Sequence, residues 1–174
     1  MKDKKNIRTC AIIGATPATL SFGYDEEHYD AIRIKKTIAE TVLSLIERGA
    51  VEFISSLCEG VEMWGAEVCQ AIRSSGSPLK LTCVPTNEEQ ANRWYPAVRE
   101  RYFELLEKCS DVIQAHLTDE QRSDSETHEA AERSSCDDYI IDHSDLILCV
   151  GKGDERAERL IERAKQTGIP VMLV

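Results

Sequence analysis

The sequence predicts an α/β fold, a three-layer sandwich around a mainly parallel sheet of about six strands. Short apolar runs alternate with helical periodicities from one end of the chain to the other. The runs are near-continuous, as in Cys10-Ala11-Ile12-Ile13 and Leu146-Ile147-Leu148-Cys149-Val150, which suits strands buried on both faces. The segments between them have helix length, so the connections are crossovers that return to a parallel sheet.

Taken in order, the strands are Ile7–Ile13, Val51–Ser56, Leu79–Val84, Asp111–His116, Asp145–Val150 and Pro170–Val174. A long helix is expected from about Glu26 to Arg48, with Asp25 as N-cap. Ile34, Ile38, Val42, Leu45 and Ile46 form its apolar stripe, and Gly49 stops it. The next helix runs from Gly60 to Arg73. A third covers Ala97 to Lys108 with Val98, Tyr102, Leu105 and Leu106 inward. A fourth runs from Ser125 to Ile141, with Ser123 and Glu126 fitting a capping box. The fifth spans Glu155 to Gln166, ends at Gly168 and is followed by Pro170. These elements make one Rossmann-like domain over residues 1–174, with residues 1–6 expected to be a disordered tail.

The bulk numbers narrow the function classes. A chain of 174 residues, 42% hydrophobic and 30% charged, has room for one well-buried core. Its net charge of −10 argues against nucleic acid or an anionic membrane as partner, since both need a basic surface. There is no apolar leader after Met1 and no run of membrane-spanning length, so a cytoplasmic protein is expected. The seven cysteines stand singly, and the histidines lack ligand spacing, so neither a metal nor another cofactor is expected. Most of the cysteines read as core residues; Cys58, in a loop, is the one that could be reactive. Exposed apolar helix faces would allow a homo-oligomer, but no spacing identifies the surface.

The junction Glu59-Gly60-Val61-Glu62-Met63-Trp64-Gly65-Ala66-Glu67 carries the most functional information. A strand ends, Gly60 turns the chain, and a helix opens with two carboxylates. Unpaired N–H groups at such a helix start face the crevice at the carboxyl edge of a parallel sheet. Val61, Trp64, Gly65, Val68, Ala71 and Ile72 make the sheet-facing side, which places Glu62 off it, near the crevice mouth. Glu62 and Glu67 read either as solvated residues offsetting the helix dipole or as groups for a ligand.

If strand order reverses beside the first strand, the loops Gly14–Tyr24, Leu57–Gly60, Leu117–Asp124 and Gly151–Asp154 line that crevice. The first is long enough to be a functional loop, or a flap pinned by Leu20, Phe22 and Tyr24. Dinucleotide and triphosphate glycine fingerprints are absent, and no Gly-x-Ser-x-Gly elbow occurs.

The segments Cys10–Gly14, Phe22–Glu26, Gly60–Glu67 and Tyr139–Asp145, together with Gly168–Val174, resemble the YpsA-like branch of the SLOG superfamily. The resemblance covers nearly the whole chain from about Thr9, and its most specific element is Gly60-Val61-Glu62-Met63-Trp64-Gly65-Ala66-Glu67. It implies a Rossmann-like fold and binding of nucleotides or nucleotide-derived ligands. The superfamily includes phosphoribohydrolases that cleave a nucleotide N-glycosidic bond.

Several ligand-facing positions depart from the branch pattern. Thr-Gly-His-Arg-Pro is here Ile13-Gly14-Ala15-Thr16-Pro17, which loses a cation. Ile-Ser-Gly is Ser55-Ser56-Leu57, and Asn-Arg-Tyr is Asp137-Asp138-Tyr139. A Gly-Gly-Thr loop is shortened to Gly151-Lys152-Gly153. Each change weakens phosphate binding and moves the crevice toward negative charge.

The resemblance therefore implies ligand contacts at Gly14, Thr16, Pro17, Ser56, Gly60, Val61, Glu62, Asp142 and Ser144. The expected function is a binding or sensing module for a nucleotide-derived or nucleoside-like ligand. The alternatives are an N-glycosidase using Glu62 or Glu67 and a scaffold that has lost its ligand.

Overall fold

The computed structural model describes residues 6–115 and 128–174. Six strands form one sheet in which every pairing is parallel: β1 (Thr9–Gly14), β2 (Glu52–Ser55), β3 (Lys80–Cys83), β4 (Asp111–Val112), β5 (Leu146–Val150) and β6 (Val171–Leu173). Their order across the sheet is β4-β3-β2-β1-β5-β6. The order reverses beside β1, whose neighbours are β2 and β5, and that reversal opens a crevice at the strands' carboxyl ends.

Helices cover both faces. The helices are α1 (Tyr29–Glu47), α2 (Val61–Ser74), α3 (Pro96–Lys108), α4 (His128–Asp142) and α5 (Glu155–Thr167). Successive side chains of a strand point to opposite faces, so Cys10 and Ile12 join one core while Ala11 and Ile13 join the other. The first core holds Ile38, Val42 and Leu45 of α1, Trp64 and Cys69 of α2, and Tyr102 of α3. The second holds Ile140 and Ile141 of α4 and Leu160 and Ala164 of α5. This is the α/β sandwich expected from the sequence.

Three local expectations change. α1 is capped by His28, whose ring nitrogen accepts from the Asp30 N–H at 3.1 Å; Asp25 instead closes a turn by accepting from Glu27 N. β4 shrinks to two exposed residues, because an edge strand paired only with β3 has little burial to extend it. α2 buries all of its first six residues, Glu62 included, while Ala71 lies exposed. The expected tail at residues 1–5, the capping box at Ser123 and Glu126, and the loop Leu117–Asp124 lie outside the described residues. Among the described residues no helix is long and apolar enough to cross a membrane.

Candidate functional site

The loops after β1 and β2 lock together at the start of α2. Ala15 N donates to Val150 O and Ala15 O accepts from Val61 N, both at 3.1 Å. That approach requires glycine on each side of it. A Cβ on Gly14 would fall 2.2 Å from Val150 O, and one on Gly60 would fall 2.6 Å from Ala15 O. Gly60 also stands at φ 91°, where a side chain is strained. The first N–H of α2 is thus taken by a protein carbonyl instead of facing an anion. In the long loop Leu20 and Phe22 pack on the core, Tyr24 stays half exposed, and the Thr16 and Thr19 groups bond to each other.

Behind this seat lies a buried chain of charge. The Ser56 hydroxyl donates to Glu62 Oε2, and Ser56 N donates to the same oxygen at 3.3 Å. Arg156 Nη1 reaches Glu62 Oε1 at 2.7 Å, and its Nε donates to Asp137 Oδ1 at 2.8 Å. Nη2 also lies 2.7 Å from Asp137 Oδ1, an ion-pair contact too poorly aligned to be a hydrogen bond. The three side chains are 4%, 10% and 11% exposed for Glu62, Arg156 and Asp137, so their charges compensate within the protein. Burial pushes the Glu62 carboxyl above its ordinary value, against the pull of Arg156 and Ser56. Burial works to lower the Arg156 guanidinium, but Glu62 and the other groups around it outweigh that and hold it well above its usual value.

Both oxygens of Glu62 are therefore engaged and shielded. The sequence placed it at the crevice mouth or on a solvated flank; instead it ties α2 to α4 and α5. Glu67 is also occupied, by a two-pronged contact from Arg101 at 2.6 and 2.8 Å on the α2–α3 side. Arg101 Nη1 and Lys35 Nζ also hold Glu26, at 2.7 and 2.6 Å. Burial raises the Glu26 carboxyl, but the hydrogen bonds from Arg101 and Lys35 prevail and hold it at about 2. A depressed carboxylate stabilises the fold above its unfolded value of 4.5, and that contribution disappears as pH falls toward 2. Glu26→Gln is thus expected to cost about 1–2 kcal/mol at pH 7 after screening, and almost nothing near pH 2. Urea titrations of both proteins across that range check it, and a pH-independent difference would refute it.

The crevice continues beyond this core into an open cavity of about 800 Å³. Its described lining includes Thr16, Cys58, Glu59, Asn87, Arg93 and Trp94, with Glu132 and Arg133 of α4 on the far wall. Gln90 braces it, accepting from Thr86 N at 2.7 Å and donating to Ser56 O at 2.9 Å. Asn87 Nδ2 donates to Glu132 at 2.8 Å. Among the described residues four carboxylates (Glu59, Glu89, Glu129, Glu132) and two guanidiniums (Arg93, Arg133) line this space, a balance that opposes a polyanion. Cys58 lines it too, but burial and then Glu62 push its thiol up, which leaves it a poor nucleophile. A second depression of about 560 Å³ lies between α4 and α5; Arg133, Arg159 and Arg163 there each have an acidic partner.

Of the residues expected to bind a ligand, Gly14, Thr16, Pro17, Ser56, Gly60, Val61 and Glu62 do come together. Thr16 lines the cavity, whereas Pro17, Ser56, Gly60, Val61 and Glu62 are packed beneath it. Asp142 and Ser144 lie elsewhere. They precede β5 and so sit at the amino end of the sheet, where Asp145 accepts from Arg8 N and Thr9 N. Asp142 is exposed there, and the buried Ser144 hydroxyl has no hydrogen-bond partner among the described residues.

Sequence reasoning missed Arg156 and did not single out Glu59. A signal for Arg156 existed: Asp137 stands where the family pattern has an uncharged Asn, and an added carboxylate asks for a compensating cation elsewhere. Asp154 caps α5 by accepting from Ala157 N at 2.9 Å, which presents Arg156 in the helix's first turn.

The comparisons with known proteins fit this architecture. A family model described as "YspA SLOG family" matches residues 10–167. The chain belongs to this family. Relatives of this SLOG family protein include a UPF0398 protein of Halalkalibacterium halodurans, 32% identical over 51% of this chain and 47% of that one. A UPF0398 protein of Listeria monocytogenes is 31% identical over 70% of this chain and 62% of the relative. One from Bacillus cereus is 26% identical over 93% and 85%. The chain thus spans about half the length of the first of these relatives. Their names state no activity. Among solved structures, a mutant of arylmalonate decarboxylase overlaps at a TM-score of 0.28 and 17% identity, covering 95% of this chain and 87% of that one; this carries no argument.

Proposed function

We propose that this SLOG family protein is a binding module for a nucleotide-derived or nucleoside-like small ligand, held in the cavity at the carboxyl ends of β1–β3. The observation that carries this reading is the position of the cavity. It opens at the carboxyl ends of parallel strands, the usual ligand place in this architecture, and is lined by Thr16 after β1, Cys58 and Glu59 after β2, and Asn87 and Trp94 after β3. Leu57, standing where the family has glycine, is not a plug. It adopts φ 59° and turns its side chain wholly into the core, outside the cavity lining. Binding is favoured over N-glycoside cleavage by Glu62 or Glu67, because arginines hold both carboxylates. The negative lining and the covered start of α2 favour ligands of low anionic charge.

A thermal-shift series with nucleosides, nucleotides and ADP-ribose tests it. A nucleoside at one hundred times its Kd should add about 2.7 kcal/mol, raising Tm by roughly 5–10 °C for a chain of this size. Asn92→Trp, at an exposed position on the cavity wall, should abolish that rise without changing the unliganded Tm. No rise with any compound would remove the reading.

A further inference from the structure

We infer, resting on that reading, that Glu59 selects a ligand whose aromatic ring carries an amino group. Glu59 belongs to the lining of the cavity, and its two oxygens differ. Oε2 accepts from the Tyr24 hydroxyl at 3.2 Å, whereas Oε1 is buried and has no hydrogen-bond partner among the described residues. A carboxylate kept in that state lacks a donor, and its two oxygens exchange by rotation about the Cγ–Cδ bond, so either one can take the Tyr24 hydroxyl while the other takes a ligand's N–H. No described neighbour supplies the donor. His128 and Arg133 are paired to Glu132 and Glu129, the amides of Asn87 and Gln90 are used by the walls, and Arg93, exposed on the same cavity, does not bond this oxygen.

The surroundings suit a flat ring. Trp94 lines the same cavity, braced edge-on against Tyr102 at 5.3 Å. Beside it Tyr95 meets Tyr24 edge-on at 5.1 Å, and both tyrosines are at least half exposed. An aromatic wall next to an acceptor short of a donor matches a nucleobase bearing an exocyclic amine. A keto oxygen in the amine's place would instead meet the carboxylate acceptor to acceptor and be rejected.

Two pairs of nucleosides test the amino group. Adenosine against inosine, and cytidine against uridine, exchange the amine for an oxo group and add an N–H at the adjacent ring nitrogen. Calorimetric titration of the purified protein should show the amino member of a bound pair at least tenfold tighter. Glu59→Leu should bring the pair to equal affinity, and Glu59→Gln, which keeps an acceptor and the side-chain shape, should retain part of the preference. Equal affinities in the unmodified protein, or a preference that survives Glu59→Leu, would overturn the inference while leaving the cavity's function intact. Binding of none of the four, with no thermal shift from any nucleotide, would overturn the proposed function as well.

Discussion

Arg156→Met should destabilise the protein by about 3–5 kcal/mol, because it leaves a carboxylate buried with no compensating charge. Arg156 bridges Glu62 of α2 and Asp137 of α4 from α5, so one substitution strands two acids. The cost depends on pH in a definite direction. Burial already holds the Glu62 carboxyl above its unfolded value of 4.5, and losing Arg156 raises it further. Below 4.5 both folded and unfolded states carry the Glu62 proton, so Glu62 adds no ionic part to the penalty. Above 4.5 the unfolded state releases that proton, and once pH passes the parent's own raised value the folded parent releases it too while the folded variant keeps it, so the variant loses stability relative to the parent. The deficit should therefore be smallest at acid pH and largest at neutrality. Adding Glu62→Gln to Arg156→Met should recover part of the loss by removing one stranded charge, which a double-mutant cycle measures. A deficit under about 1 kcal/mol at pH 7, or one that shrinks as pH rises, would show that the chain does not tie the helices together.

Gly60→Ala should cost about 2–5 kcal/mol, combining a strained backbone with a collision. Its φ of 91° suits glycine, and the added methyl would sit 2.6 Å from Ala15 O, a main-chain atom held by its neighbours on both sides. Gly153→Ala supplies the control. That residue has φ 83° but open space around the missing Cβ, so it should lose only about 1–2 kcal/mol to backbone strain. The difference between the two variants in urea denaturation measures the close approach of the β1 and β2 loops. Equal losses would mean that the approach contributes nothing. Because Ala15 is followed directly by the cavity residue Thr16, Gly60→Ala should also weaken ligand binding, whereas Gly153→Ala should not.

Much of the architecture was legible because its signals are local. Near-continuous apolar strands separated by helix-length segments led to the parallel sheet, and Gly60 marked a strand-to-helix junction that the structure retains. Helix ends were less legible. Asp25 and His28 are both competent caps, and the choice of His28 depends on how the long loop turns before α1.

The roles of the residues at the Gly60 junction were not legible. Spacing on α2 located Glu62 in the first turn, yet could not show that α4 and α5 would cover that turn. Glu62 meets Arg156 across 94 residues, a separation at which periodicity carries no information. Asp142 and Ser144 seemed site residues by motif alone; their positions before β5, at the strands' amino ends, separate them from the cavity. The sequence by itself determined the alternation of strands and helices, the glycine junction and the family, since each rests on neighbours within a few turns of chain. Which carboxylates are spent inside and which line the cavity was settled by tertiary structure alone, because a charge is compensated by whatever the fold brings within 3 Å of it.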